Sequence, residues 1–319
     1  MTKNLLFAIL SAFLVCPAIC QKKNILSSEK KDGALITAIA GKPVLAYQYE
    51  TVYPPADVDT AYKKSGFIHP LSTLNGHVLT QIQPKDHYHH YGIWNPWTHV
   101  LFEGDTLDFW NLYKKEATVR FAEFKYIKKK ASFIEFKVLH EHLVLKNAAE
   151  KVVLNEFQTI KVSPVTDHYY IVDFTIDYAC AMDRPFKILE YRYAGFGWRA
   201  TEAWDKNNSE ILTSEGKTRL DADGSTARWC IVQGALGKDY GGVILLSHPK
   251  NFNHPEPLRV WPVEQNGRGD VFVNIAPTKT RDWLLKPGKT YTLKYRLIVF
   301  NNKFSAIEAE QLWKKYAAK

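Results

Sequence analysis

Cysteine is scarce in this sequence. There are 4 in 319 residues, and Cys16 and Cys20 fall within the first twenty. Only Cys180 and Cys230 would survive removal of a leader, too few for the disulfide framework of a small secreted domain. They are compatible with one bridge or with two buried thiols. Long apolar runs are missing as well: the one at residues 5–15 falls short of the roughly 20 residues that a membrane helix requires. No G-x-G-x-x-G opens a helix, and neither a P-loop nor a G-x-S-x-G elbow is present, which sets aside nucleotide-driven and α/β-hydrolase chemistry. No self-similar period of roughly 20–50 residues points to a propeller or solenoid. No Gly- or Ser-rich linker divides the chain.

Charge of one sign is in modest excess, 42 Lys+Arg against 33 Asp+Glu for a formal net charge of +9. The basic residues are scattered. Their densest run, Lys128-Lys129-Lys130, lies between two strand-like segments and reads as a hairpin turn. A nucleic-acid surface needs a clustered patch, so nucleic acid is not expected as a partner. A composition 46% hydrophobic and 24% charged, with mean hydropathy −0.27, excludes a disordered chain and a polytopic membrane protein. What stands out is 9 Trp and 17 Tyr. Such rings serve sugar-binding clefts and large β cores alike.

Residues 1–20 read as a secretory signal peptide: Lys3, the apolar run, then Ala18-Ile19-Cys20 as a small-x-small cleavage site. The mature chain is expected to start near Gln21, in the periplasm or outside the cell, with no membrane span. A lipoprotein acylated at Cys16 or Cys20 is disfavoured, because Val15 and Ile19 stand where a small residue is preferred.

Residues 21–32 form a polar N-terminal segment, and 33–319 read as a single all-β domain. Gly41-Lys42-Pro43 separates β-rich stretches at 34–39 and 44–49. Segments 117–126, 132–146, 151–163 and 168–178 alternate apolar and polar residues, with turns expected at the Lys triplet, Asn147-Ala148-Ala149 and Ser163-Pro164. In 132–146 one face carries Ile134, Phe136, Val138, His140, His142 and Val144, the period of two of a half-buried antiparallel strand. Further strands are expected at 186–193, 228–236, 241–247, 270–275 and 290–300. Ser305-x-x-Glu308 is a capping box that opens a C-terminal helix, 305–318. The architecture expected is a large antiparallel two-sheet sandwich closed by that helix.

The chemistry concentrates in histidine. Six of 11 His (His69, His77, His87, His89, His90 and His99) fall within 31 residues. At their centre is Asp86-His87-Tyr88-His89-His90-Tyr91-Gly92-Ile93-Trp94. If extended, this segment puts His87 and His89 on one face and His90 on the other. A His pair two apart can share a divalent metal, with Asp86, His69 or His254 as a third ligand. The same imidazoles can instead work as acid or base near neutral pH, or simply pack on Trp94 and Trp97. A second cluster, His248-Pro249-Lys250-Asn251-Phe252-Asn253-His254-Pro255 with Trp261 beyond it, sits on a loop after a strand. A third interleaves Arg192 and Arg199 with aromatic rings and suits a carboxylate, a phosphate or a sugar face.

Gly66-Phe67-Ile68-His69-Pro70-Leu71, Leu74-Asn75-Gly76, Asp86-His87-x-His89-His90-x-Gly92-Ile93-Trp94, Asp108-Phe109-Trp110, His248-Pro249-x-Asn251 and His254-Pro255 resemble the PmoA-type bacterial family of unknown function, over about residues 34–300. The resemblance implies a bacterial protein encoded beside carbohydrate-degradation genes. The label that family inherited, methane oxygenase, belongs to a multi-span membrane protein and does not suit this chain. His-His-x-Gly-x-Trp with the later His-Pro-x-Asn more distantly resembles galactose-mutarotase-type supersandwich proteins. That resemblance implies a sugar-binding sheet and a His acid, here His89 or His90, facing a Glu base, here Glu190, Glu215 or Glu264.

These readings lead to an exported protein acting on a carbohydrate or another small polar ligand by acid/base isomerisation, elimination or hydrolysis. Asp86, His87, His89 and His90 are the candidate catalytic residues. His69, Trp94, Arg192, Arg199, His248, Asn251, His254 and Trp261 are the candidate binding residues. No cofactor is required, and a divalent metal on His87 and His89 is the alternative. A non-catalytic glycan binder would instead use Trp94, Trp97, Trp198 and Trp261 as stacking platforms.

Overall fold

The computed structural model describes residues 26–146 and 149–319. The expected leader, with Cys16 and Cys20, lies outside the described residues, as do positions 147 and 148 of the expected Asn147-Ala148-Ala149 turn. The fold is all-β, as the alternation requires, with three antiparallel sheets among the described residues. The long sheet runs Ser209–Thr213, Trp229–Leu236, Asp239–Ser247, Thr290–Asn301, Tyr169–Cys180, Ala149–Pro164, Phe133–Lys146 and Ala117–Lys130. A second sheet runs Leu26–Lys31, Ala34–Ile39, Lys42–Gln48, Phe67–Leu71, Ile93–Trp94, Phe196–Arg199, Phe272–Ile275 and Leu258–Val260. A small sheet orders Trp283–Leu285, Phe186–Ile188, Val100–Phe102 and Asp105–Leu107.

The main core lies between the sheets. Ile134, Phe136, Val138, Ile160, Val162, Tyr170, Val172, Phe174 and Ile176 of the long sheet are buried with Leu35, Val44, Leu45, Tyr47 and Ile68 of the second. Trp229–Val232 and Val243–Leu246 are continuous apolar runs because both their faces are covered. On the outer face Trp229, Ile231, Ile244, Leu246, Ile298 and Phe300 pack on Ala309 and Tyr316 of the helix Ala306–Ala317. That helix starts where the capping box places it. The Glu308 N–H donates to Ser305 Oγ (3.3 Å) and the Ser305 N–H to Glu308 Oε2 (2.8 Å), a cap of about 1 kcal/mol. Among the described residues no helix is long and apolar enough to cross a membrane.

Several expectations are corrected. The polar segment 21–32 contains a strand, Leu26–Lys31, in register with Ala34–Ile39. Lys128-Lys129-Lys130 ends the strand Ala117–Lys130 instead of forming the turn, which falls at Ala131-Ser132. Both are edge strands, where exposed lysines discourage further pairing. Ser163-Pro164 likewise ends a strand, and only Phe186–Ile188 of the expected 186–193 is extended in a sheet. Cys180 and Cys230 are free thiols, Cys230 buried in the core.

Deep in the main core sits a polar knot. Glu156, fully buried, accepts from His140 Nδ1 (3.1 Å), His142 Nε2 (2.9 Å) and Asn95 Nδ2 (3.2 Å), and His140 Nε2 meets the Tyr47 hydroxyl at 2.6 Å. Burial works against the charged Glu156, yet hydrogen bonds from His140 and His142 outweigh it and hold the carboxyl well below the usual range. The knot joins Tyr47 of the second sheet to His140, His142 and Glu156 of the long sheet and so ties the two sheets together.

Candidate functional site

Two successive turns carry the histidine cluster. The His87 N–H donates to Pro84 O (2.9 Å), the His90 N–H to His87 O (3.0 Å) and the Gln83 N–H to His90 O (2.8 Å). An extended strand would have put His90 opposite His87 and His89. The turns bring the three imidazoles together, with ring centroids 5.3 Å apart for His87 and His89, 4.7 Å for His87 and His90, and 5.0 Å for His89 and His90. One nitrogen from each lies within 4.8 Å of the others. The loop ends at Gly92, whose φ is +58° and whose Cβ, if present, would lie 2.2 Å from the Ile68 carbonyl oxygen. Only glycine lets the chain re-enter the sheet that close to Phe67–Leu71.

His90 is packed among the rings of Trp94 (5.2 Å), Trp261 (5.3 Å) and Phe272 (5.0 Å), and its Nδ1 is buried with no hydrogen-bond partner. Burial first, then the neighbouring imidazoles, push His89 down to about 4 and His90 well below its ordinary value. Both are neutral at pH 7.

Behind the cluster stands a charged clamp. Nδ1 of His87 lies 2.7 Å from Asp86 Oδ2. The buried Arg199 donates to both Asp86 oxygens (2.9 and 3.3 Å) and to Asp270 Oδ2 (3.0 Å), and Asn266 Nδ2 donates to Asp86 Oδ2 (2.7 Å). The Arg199 guanidinium also lies 4.7 Å from the Trp261 ring centroid. Burial opposes the charge on Asp86, but the His87 hydrogen bond and Arg199 prevail and hold it below the usual carboxylate range. The carboxylate therefore accepts, and His87 presents Nδ1–H to it.

His87, His89 and His90 line a cavity of about 380 Å³. Its other wall comes from Thr98, His99, Asp108, Asn111, Lys114 and the loop Tyr191-Arg192-Tyr193. Asp108 caps that wall by accepting from the Trp110 and Asn111 N–H groups (2.9 Å each), and it pairs with Lys114 Nζ at 2.9 Å. Tyr191 lies on the His99 ring at 3.9 Å, and Arg192 stands exposed beside Tyr193.

Of the expected site residues, His87, His89, His90 and Arg192 meet in this cavity, with Asp86 directly behind. Arg199 does not line it: it is buried as the clamp on Asp86. Trp94 and Trp261 are buried beneath the imidazoles, and Trp97 and Trp198 in the core, all 3% exposed or less. No stacking platform of the kind the glycan-binder alternative needs is offered by these four, because rings of this size gain most by burial. His69 is tied to Thr80 Oγ1 (2.8 Å) outside the cavity.

His248, Asn251 and His254 also lie elsewhere. Asn251 donates to Glu256 (2.9 Å), His254 Nδ1 meets Ser247 Oγ (3.0 Å), and His248 and His254 pack on Tyr316 and Trp313 of the helix. This loop secures the helix to the sheet. Glu190, Glu215 and Glu264 are exposed, outside the cavity wall, and the last two pair with Arg228 and Lys206. Asp108, Asn111, Lys114, Tyr191 and Tyr193 were not singled out from the sequence, although Asp108-Phe109-Trp110 and the aromatic residues flanking Arg192 were its signals.

Fold and cavity together describe an all-β sandwich protein with a histidine-walled cavity. Residues 35–314 match the family model described as a family of unknown function, DUF6807, and the chain belongs to that family. The match gives no PmoA-type label. No curated protein matches the sequence. Among solved structures, the chain is similar to a galactose mutarotase related enzyme from Lactobacillus acidophilus, with 10% identity over 86% of this chain and 97% of that one and a TM-score of 0.39. It is similar to an aldose epimerase homologue from C. elegans, with 8% identity over 88% and 100% and a TM-score of 0.37. A mutant heparan sulfate lyase from Pedobacter heparinus shares 8% identity at a TM-score of 0.39, and there 88% of this chain spans 37% of the lyase.

Proposed function

We propose that this protein is an enzyme acting on a carbohydrate bound in the His87–His89–His90 cavity, by a reaction that begins with proton abstraction. The observation that carries the reading is that the imidazoles of His87, His89 and His90 line one cavity of about 380 Å³ with the exposed cationic side chain of Arg192, within the ~300–1,000 Å³ range of small-molecule sites. A neutral imidazole takes the proton α to a carbonyl or carboxylate and becomes imidazolium, and the Arg192 cation stabilises the enolate or enediolate that results. Isomerisation and elimination fit this arrangement. Hydrolysis through paired carboxylates fits it poorly, because Asp108 is the carboxylate on the wall and is already committed to Lys114 and two backbone N–H groups. Tyr191 and Tyr193 supply ring edges and hydroxyls suited to a sugar.

The mutarotase, epimerase and lyase names of the similar structures select the first ligands to try: aldoses, uronic acids and their oligosaccharides. Export belongs to the same proposal and rests on residues 1–20; a mature chain beginning near Gln21 in a periplasmic or culture fraction would bear it out.

The test is calorimetric titration of such a panel into wild type and into Arg192→Ala, whose exposed side chain can be removed without disturbing the core. Binding that weakens at least tenfold in the variant, with turnover lost in His89→Ala, is the expected result. A panel without any binder, or equal affinity in both proteins, overturns the reading.

A further inference from the structure

We propose that His87, His89 and His90 form a mononuclear centre for a divalent transition metal of the zinc class, opening into the cavity, with Asp86 orienting His87. The inference rests on the carbohydrate reading and deepens it by naming a cofactor for the same cavity; with all three imidazoles on the ion, the proton acceptor of that reading is the water held at the ion's open position in place of a free imidazole. It rests first on geometry. Three imidazole nitrogens lie within 4.8 Å of one another, whereas a tetrahedral ion with bonds of 2.0–2.1 Å needs them about 3.3 Å apart. Closing that gap takes movements of about an ångström. His89, partly exposed on a loop of turns, makes most of them and His87 turns about its bond to Asp86, while His90 is fixed by Trp94, Trp261 and Phe272.

A second observation is the unsatisfied hydrogen-bonding capacity of His90. Its buried Nδ1 has no partner, as is true of His142 Nδ1 and His248 Nε2, and among the described residues His90 alone of the three is grouped with two further imidazoles. The third is Asp86. A carboxylate on the far nitrogen of a ligating histidine fixes its tautomer and sharpens its basicity. Asp86 lies 2.7 Å from His87 Nδ1 and is itself held by Arg199 and Asn266. With Nδ1–H committed to Asp86, His87 offers Nε2.

The donor set also selects the ion. Imidazoles alone suit Zn, Ni, Cu or Fe and leave Mg and Ca, which require oxygen ligands, without a site. Asp86, Asp108 and Asp270 offset the positive charge of Arg192, Lys114 and Arg199 around it. Three protein ligands leave a fourth position for water or substrate oxygen, as in catalytic zinc sites.

The experiment strips the full chain with a chelator and titrates it with zinc, and separately with cobalt(II), whose visible spectrum reports tetrahedral nitrogen ligation. The expected result is about one zinc per chain, removed in His87→Ala/His89→Ala and retained in His248→Ala. Asp86→Asn should bind about 10- to 100-fold more weakly. His90→Ala is avoided because its ring is part of the packing. His87 and His89 are partly exposed, and circular dichroism checks that the double variant folds; should it not, the single His89→Gln must weaken zinc by at least as much as Asp86→Asn does. No stoichiometric uptake of zinc or cobalt at saturation, or unchanged uptake in the histidine variants, overturns the proposal. Zinc uptake with no sugar ligand overturns the carbohydrate reading and leaves the centre standing. A sugar bound equally well by chelated protein that takes up no metal does the reverse.

Discussion

Arg199 holds Asp86 with two hydrogen bonds, 2.9 and 3.3 Å long, from a guanidinium that is itself almost fully buried. The relationship gives a position at the foot of the second sheet control over a histidine loop more than one hundred residues earlier in the chain. Asp86 orients His87, and Arg199 orients Asp86, with Asp270 sharing the same guanidinium at 3.0 Å. Arg199 is a positioning residue in this scheme: it touches no ligand and acts through the carboxylate.

Replacing Arg199 by Met should therefore be costly although no cavity residue is removed. Asp86 and Asp270 would lose the guanidinium they share and keep only His87, Asn266 and Arg268 as partners, a loss of roughly 3 kcal/mol, at the low end for broken buried pairs because those partners stay and the Asp86 side chain is 28% exposed. Arg199→Lys should recover only part of it, since a single ammonium cannot fork to Asp86 and reach Asp270 as well. Urea unfolding of the three proteins measures this; a Lys variant as stable as wild type would remove the argument.

The loop makes a separate prediction through Gly92. Its φ of +58° alone penalises a side chain, and the Ile68 carbonyl 2.2 Å from the Cβ position adds a backbone collision that no rotamer relieves. Gly92→Ala should cost more than about 2 kcal/mol and displace the histidines. Gly76→Ala is the control: φ is +93° there, but nothing lies within 4 Å of the added carbon, so only the conformational penalty of about 1 kcal/mol applies. Equal losses in the two variants would show that the contact with Ile68 is not what fixes the loop.

These contrasts also explain what was legible in the sequence. The long strands from 117 to 180 announce themselves because each has 12 or more residues over which a period of two can be read. Strands such as Ile93–Trp94 and Leu258–Val260 are too short to show any period and exist because long-range partners hold them. At the site, His87, His89 and His90 were visible as a concentration of one residue type, whereas their grouping depends on turns that the alternation rule cannot anticipate. Asp108 and Lys114 carry ordinary surface chemistry in sequence, and only the packing of Trp110 and Tyr193 brings them opposite the imidazoles. The Trp residues misled for a physical reason: a ring suited to stacking on sugar is equally suited to the core, and Trp94, Trp97, Trp198 and Trp261 all went there.

The last prediction concerns Glu256, which is fully buried and accepts from Asn251 (2.9 Å), Tyr295 (2.7 Å) and Ser247 beside the terminal helix. Burial raises its carboxyl to about 7 despite these hydrogen bonds. The native state thus keeps a proton that the unfolded chain, with an ordinary value of 4.5, gives up earlier. Where the native form binds more protons, stability falls as pH rises. The contribution is fully present below pH 4.5 and is lost as pH rises through 7, amounting to roughly 2 kcal/mol between pH 5 and 7.5. Glu156 acts with the opposite sign: held ionised by His140 and His142, it supplies stability above its ordinary range that is lost on acidification. Urea unfolding of wild type, Glu256→Gln and Glu156→Gln at pH 4, 5 and 7.5 separates the two. Glu256→Gln should flatten the decline between pH 5 and 7.5 and leave the acid limb, while Glu156→Gln should flatten the acid limb at a cost near neutrality, because its amide N–H faces a histidine donor. An unchanged slope between pH 5 and 7.5 in Glu256→Gln would mean that this carboxyl is ionised in the native protein and that its hydrogen bonds outweigh its burial.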